Sequence, residues 1–230
     1  MSKRGRPKKQ LGEGELSAKQ KIIETALDLF YQHGINCVGV DRIIEEAGIA
    51  KMTFFKHFPT KKDLIIEFLK VRDERYLNWV DTQVKAITKN EAKQLEACLE
   101  VMAKWFQLDD FRGCAFINTS VEVGPGDNQE KLICVSHKNS LAQYLTQLAT
   151  QAGYKNPEAL ADLLVIVIDG ATIRAQMDSP EQAIPSLKQA SEILLKNCKK
   201  HFFSTCLKLR CQISVQLSST LCSLSVFKYL

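Results

Sequence analysis

No apolar run in this chain is long enough to cross a bilayer. The longest, Leu163-Leu164-Val165-Ile166-Val167-Ile168, is fenced by Asp162 and Asp169, whereas a spanning helix needs about 20 such residues. No membrane partner is expected. The N-terminus, MSKRGRPKK, carries charge with no apolar stretch behind it, so a secretory leader is not expected either. The eight cysteines include no CxxC pair and follow no regular framework, which argues against a disulfide scaffold and for reduced thiols in the cytoplasm. Cys134 and His137 offer two ligand types, but no second pair stands nearby at zinc spacing, so no metal is expected. A glycine-rich phosphate loop and a G-x-S-x-G elbow are both missing, and no cofactor is expected.

Strong charge of one sign is also lacking. Against 31 Lys+Arg stand 26 Asp+Glu, a net charge of +5, too mild for a nonspecific polycation of the histone kind. The charge is uneven, however: Lys3, Arg4, Arg6, Lys8 and Lys9 precede any acid. Residues 1–16 therefore read as a basic arm, whose Arg4-Gly5-Arg6-Pro7 suits the narrow, electronegative minor groove of A·T-rich DNA. Hydrophobic residues make up 45% of the chain, enough for a globular core.

What the sequence does have is a stretch from Val40 to Leu64 that reads as two short helices and the start of a third. Val40, Ile43, Ile44 and Ala47 recur at helical spacing and leave Asp41, Arg42, Glu45 and Glu46 facing water. Gly48 stops this helix at a sharp turn. Lys51 to Phe58 forms the next, with Phe54 and Phe58 on the inner side and Lys51, Met52, Phe55 and Lys56 on a basic, partly apolar outer face that suits a DNA groove. Pro59 ends it, and Thr60-Lys61-Lys62-Asp63 opens the following helix as a capping box. Upstream, Ser17 and Gln20 cap a scaffold helix that Gly34 ends. Two helices, a glycine turn and a restart make a helix-turn-helix.

These residues resemble a known family. AGIAKMTFFKHFPTKKDL is similar to the DNA-binding signature of TetR/AcrR-type transcriptional regulators, A-G-V-S-x-G-T-L-Y-x-H-F-x-S-K-x-x-L. It matches at Ala47, Gly48, Thr53, His57, Phe58, Lys61 and Leu64, with conservative changes at Ile49, Phe54 and Thr60. Three positions depart from it: Ala50 replaces a serine N-cap, Met52 a glycine, and Phe55 a tyrosine whose hydroxyl usually touches phosphate. The resemblance implies an all-α fold, with a three-helix DNA-binding domain (17–64) followed by a helical effector-binding and dimerisation domain (65–199). It implies a cytoplasmic homodimeric repressor of a palindromic operator in double-stranded DNA, responsive to a small molecule and not an enzyme. The expected DNA contacts are Arg4, Arg6, Lys51, Met52, Thr53, Phe55, Lys56, His57, Lys61 and Lys62.

The second half reads as helices throughout. The helix bearing Leu95, Cys98, Leu99 and Met102 is expected to run to the break at Arg112-Gly113, and Gly124-Pro125-Gly126 marks the clearest loop. Met102, Trp105, Phe106, Phe116 and Tyr144 are candidates to line an effector cavity, with Asn118, His137, Asp169 and Arg174 as its polar groups; core packing competes for each of them. The helices near 157–177 and 180–199 are candidates for the dimer interface, the first being apolar around much of its circumference. Residues 200–230, rich in Ser, Cys and Leu, carry no assignment. Two other readings compete with the regulator: a thiol-dependent enzyme using Cys114 and His137, and an adaptor that has kept the fold without binding DNA.

Overall fold

The computed structural model describes residues 16–126 and 128–198; Arg4, Arg6 and the tail from 200 lie outside the described residues. Helices make up all the regular secondary structure among the described residues. They are α1 (Ala18–His33), α2 (Val40–Glu46), α3 (Lys51–His57), α4 (Lys61–Ile87), α5 (Gln94–Trp105), α6 (Ala115–Glu122), α7 (Gln129–Gln151), α8 (Pro157–Met177) and α9 (Pro180–Cys198), with a 3-10 turn at Glu91–Lys93 before α5. None of them is long and apolar enough to cross a membrane.

The first three helices form a small unit on the N-terminal part of α4. Ser17 caps α1 in a reciprocal box with Gln20, and Thr60 caps α4 in another with Asp63. Gly48 turns the chain between α2 and α3 at φ +63°, a left-handed conformation a side chain resists. Phe54 and Phe58 are buried in the core that also holds Ile22, Phe30, Ile43 and Phe68, each contributing about 1.5–3 kcal/mol. That burial, rather than the intrinsic propensity of a seven-residue helix, holds α3 in place.

Beyond Phe68 the long α4 leaves this head and packs against α5 and α7; α8 lies against α7 and α9. There the core continues with Val80, Val84, Leu95, Met102, Leu141, Leu145, Leu148, Leu164 and Ile168, all buried, beside Trp105, Phe106 and Phe116. One expectation is corrected here. The α5 helix ends at Trp105, not near Arg112, because Phe106 and Phe111 fold back on Trp105, with ring centroids 5.1–5.7 Å apart.

A seam of polar contacts joins head to body. Tyr31, near the end of α1, donates its hydroxyl to the Gly113 carbonyl (3.1 Å) and accepts the Arg112 amide (3.0 Å). Glu122, at the end of α6, accepts the Asn36 amide at 2.7 Å, and its carbonyl accepts Asn36 Nδ2 at 3.0 Å. The same carboxylate crowds Gly34, where an added Cβ would lie 2.7 Å from Oε1 in a backbone at φ +84°, so glycine serves both the turn and the approach of α6.

Candidate nucleic-acid interface and effector cavity

The outer face of α3 is open. Met52 is 83% exposed and Phe55 40%, with Lys51, Lys56 and His57 exposed beside them and Thr53 half-buried. Phe55 packs edge-on against the buried Phe54, centroids 5.3 Å apart, which fixes the ring at the rim of the helix. The N-terminus of α3 begins at Ala50 without a side-chain cap. Its orientation relative to α2 is held by Lys51 Nζ on Asp41 Oδ1 (3.0 Å), while Arg42 reaches Glu46 (2.8 Å) and His33 Nε2 (3.1 Å), tying α2 to α1.

At the start of α4 the residues expected to meet phosphate differ in their engagements. Asp63 already accepts both the amide and the hydroxyl of Thr60, at 2.9 and 2.7 Å. Lys61 is half-buried, and Lys62 Nζ lies 3.3 Å from Oε2 of Glu130 in α7. Among the expected contacts within the described residues, Lys51 and Lys62 thus hold internal carboxylates, whereas Lys56 and His57 stand open with Met52. Repetition of basic residues along the sequence does not show which lysines are internally paired, because Asp41 and Glu130 reach them only through folding.

In the second half, Trp105, Phe116, His137 and Asp169 come together around one narrow crevice, with Arg72, Tyr76, Cys114 and Lys138. His137 is buried, stacks on Phe116 at 3.6 Å between centroids, and shares a 2.7 Å hydrogen bond between Nδ1 and Asp73. Burial pulls its pKa below the usual imidazole value against the opposing pull of Asp73. Lys138 Nζ bonds Asp169 at 2.5 Å and lies 3.7 Å from the Cys114 sulfur. Tyr76 donates to the Met102 sulfur (3.3 Å), and burial raises its phenol well above 10. Burial likewise holds Cys134 as a thiol, its pKa pushed up to about 11.

The remaining candidates lie apart from this crevice. Phe106 packs behind Trp105. Tyr144 points to Asp81 (3.4 Å). Asn118 lines a wider cleft of about 540 Å³ between the end of α1 and α6. Arg174 is exposed and paired with Asp178 at 3.3 Å, not with Asp169. A separate cavity of about 230 Å³ opens beside the crevice, walled by Tyr31, Arg72, Tyr76, Trp79, Trp105 and Asp110. Sequence reasoning missed Arg72, Asp73, Tyr76 and Lys138. The spacing Arg72-Tyr76-Trp79, i, i+4 and i+7 on α4, is the signal that placed three of the cavity's walls on one helix face.

Comparison with known proteins agrees with this geometry. Residues 22–68 match the model of bacterial regulatory proteins of the tetR family. The transcriptional regulator AcuR of Cereibacter sphaeroides is 26% identical over 185 residues, 76% of this chain and 83% of its own. The HTH-type transcriptional repressor ComR of Escherichia coli is 26% identical over 182 residues, 74% and 84% respectively. A TetR-family transcriptional regulator from Streptomyces coelicolor superposes with a TM-score of 0.71 at 27% identity, over 80% of this chain and 96% of that one. The match to the tetR family model covers the DNA-binding head, and the likeness to transcriptional regulators of that family extends over most of the chain.

Proposed function

We propose that two copies of this chain bind a palindromic operator, each laying α3 in a major groove, and that an effector in the helical body releases them. The observation that carries this is the division of α3 into a buried side, Phe54 and Phe58, and an open side, Met52, Phe55, Lys56 and His57. A helix needed only for packing has no use for a Met 83% exposed beside cations. Pairing of two copies is supported by α8, which presents Ile166, Ile173 and Met177 to water, the last 81% exposed. Two-fold symmetry then sets the reading helices about one duplex turn apart. The chain acts as a repressor in the cytoplasm, with the effector favouring a conformation whose reading helices no longer match the grooves.

The test is footprinting of the DNA upstream of its own gene. Two protected half-sites related by a dyad, centred about 10 base pairs or a multiple apart, are expected. A single, asymmetric protected patch contradicts the dimeric reading, and no protection contradicts DNA binding there.

A further inference from the structure

The cavity beside Trp105 holds a cation without a counter-ion. Arg72 lies with its guanidinium over the Tyr31 ring, 4.0 Å from the centroid, and among the described residues it has no carboxylate within ion-pair reach. Its neighbours are engaged: Arg75 is held by Glu24 on α1 through both terminal nitrogens, Asp73 by His137, and Asp169 by Lys138. Arg72 lines both the 230 Å³ cavity and the narrow crevice, so its side chain borders the space a ligand enters. The walls are Tyr76, Trp79 and Trp105, with Tyr76 edge-on to Trp105 at 5.5 Å between centroids. Asp110 also lines this cavity and its charge opposes an anion beside it, so Arg72 supplies the attraction for an acid head.

We propose that this cavity binds a monocyclic aromatic carboxylate, its acid group paired with Arg72 and its ring against Tyr76, Trp79 and Trp105. A planar guanidinium pairs with carboxylate through two parallel hydrogen bonds. A dry cavity of about 150 Å³ suffices for benzene, so 230 Å³ admits one ring with its substituent. The assignment deepens the effector reading above and rests on it for its regulatory meaning. It also supplies a route to the head: an acid on Arg72 competes for the guanidinium that now covers Tyr31, whose hydroxyl holds the Arg112–Gly113 turn.

The chain has two tryptophans, Trp79 and Trp105, and both wall this cavity, so tryptophan emission reports on it directly. The full chain is titrated with benzoate and phenylacetate, and with benzamide and benzylamine as neutral and cationic counterparts. Binding of promoter DNA without any acid is measured in parallel. Saturable quenching by one or both acids is expected, at least tenfold tighter than by the other two. Arg72→Gln should weaken acid binding at least tenfold, and Arg72→Lys by less, with both variants matching the wild-type circular dichroism spectrum. Acids that bind no tighter than benzylamine, or as tightly to Arg72→Gln, overturn the assignment even where DNA binding is intact. Quenching as expected in a protein that ignores promoter DNA upholds the cavity and removes the regulator reading instead.

Discussion

Lys62 is the residue on which the phosphate-anchor expectation and the folded geometry meet. Its ammonium lies 3.3 Å from Glu130 Oε2, and the two side chains are 55% and 7% exposed. That oxygen is buried with no hydrogen bond, so the contact is an ion pair without hydrogen-bond alignment. Removing one partner of a fully buried pair costs about 3–5 kcal/mol. Water reaches the lysine, which screens much of that, and the N-terminus of α7 offsets about 0.3–1 kcal/mol more. Lys62→Ala should therefore cost about 1–2 kcal/mol, lowering Tm by roughly 2–8 °C for a chain of this size. Glu130→Gln removes the stranded charge, so Lys62→Ala should cost about 0.5 kcal/mol or less in that background, following the logic of a double-mutant cycle. Thermal denaturation of the four proteins gives the coupling. The same Glu130→Gln frees Lys62, and operator affinity should rise with a salt slope steeper by up to about 1. A zero coupling energy would refute the structural role of the pair. An unchanged salt slope would refute the idea that Glu130 withholds Lys62 from phosphate.

Three further outcomes follow from other parts of the molecule. Ala50 caps α3 with no side-chain oxygen, so Ala50→Ser should stabilise the protein by about 0.5–1 kcal/mol, read as a raised urea midpoint at unchanged slope. Glu122→Ala strips a carboxylate from the Asn36 amide and should cost about 1–2 kcal/mol; urea unfolding checks this, and a loss within error of zero removes Glu122 from the seam. The buried His137 has a folded pKa below its unfolded value of about 6.5, so the unfolded chain takes up the proton first. Its share of stability is present above pH 6.5 and is lost as pH falls through the folded pKa. Melting from pH 8 to 5 should show a decline that His137→Gln flattens; an equal decline in both proteins assigns the pH dependence elsewhere.

The head was legible because its signals are local. Ser17, Gly34, Gly48, Pro59 and Thr60 each act on the residues beside them, and the observed helix limits fall within one residue of where those caps and breakers put them. The end of α5 was not, since no proline or glycine marks Phe106; three aromatic rings gathering across seven residues end the helix instead. The cavity was harder still. Trp105, Phe116, His137 and Asp169 stand out as residue types, but Arg72 and Lys138 read as ordinary surface cations. Only the packing of α4 against α5 and α7 turns Arg72 toward Trp105. Arg174, read from the sequence as a polar group of the cavity, stands exposed beside the i+4 carboxylate of Asp178, a partner set by helix spacing.

The claim at the centre of this account is that the open side of α3 reads DNA, and the salt dependence of operator binding tests it most directly. Fluorescence anisotropy on the upstream DNA, repeated across a salt series for the wild type and Lys56→Ala, should give a steep linear loss of log affinity with log salt. The variant should bind more weakly on every sequence, with a slope shallower by about 1. A wild-type slope indistinguishable from zero, or a Lys56→Ala protein that matches the wild type at every salt concentration, contradicts it.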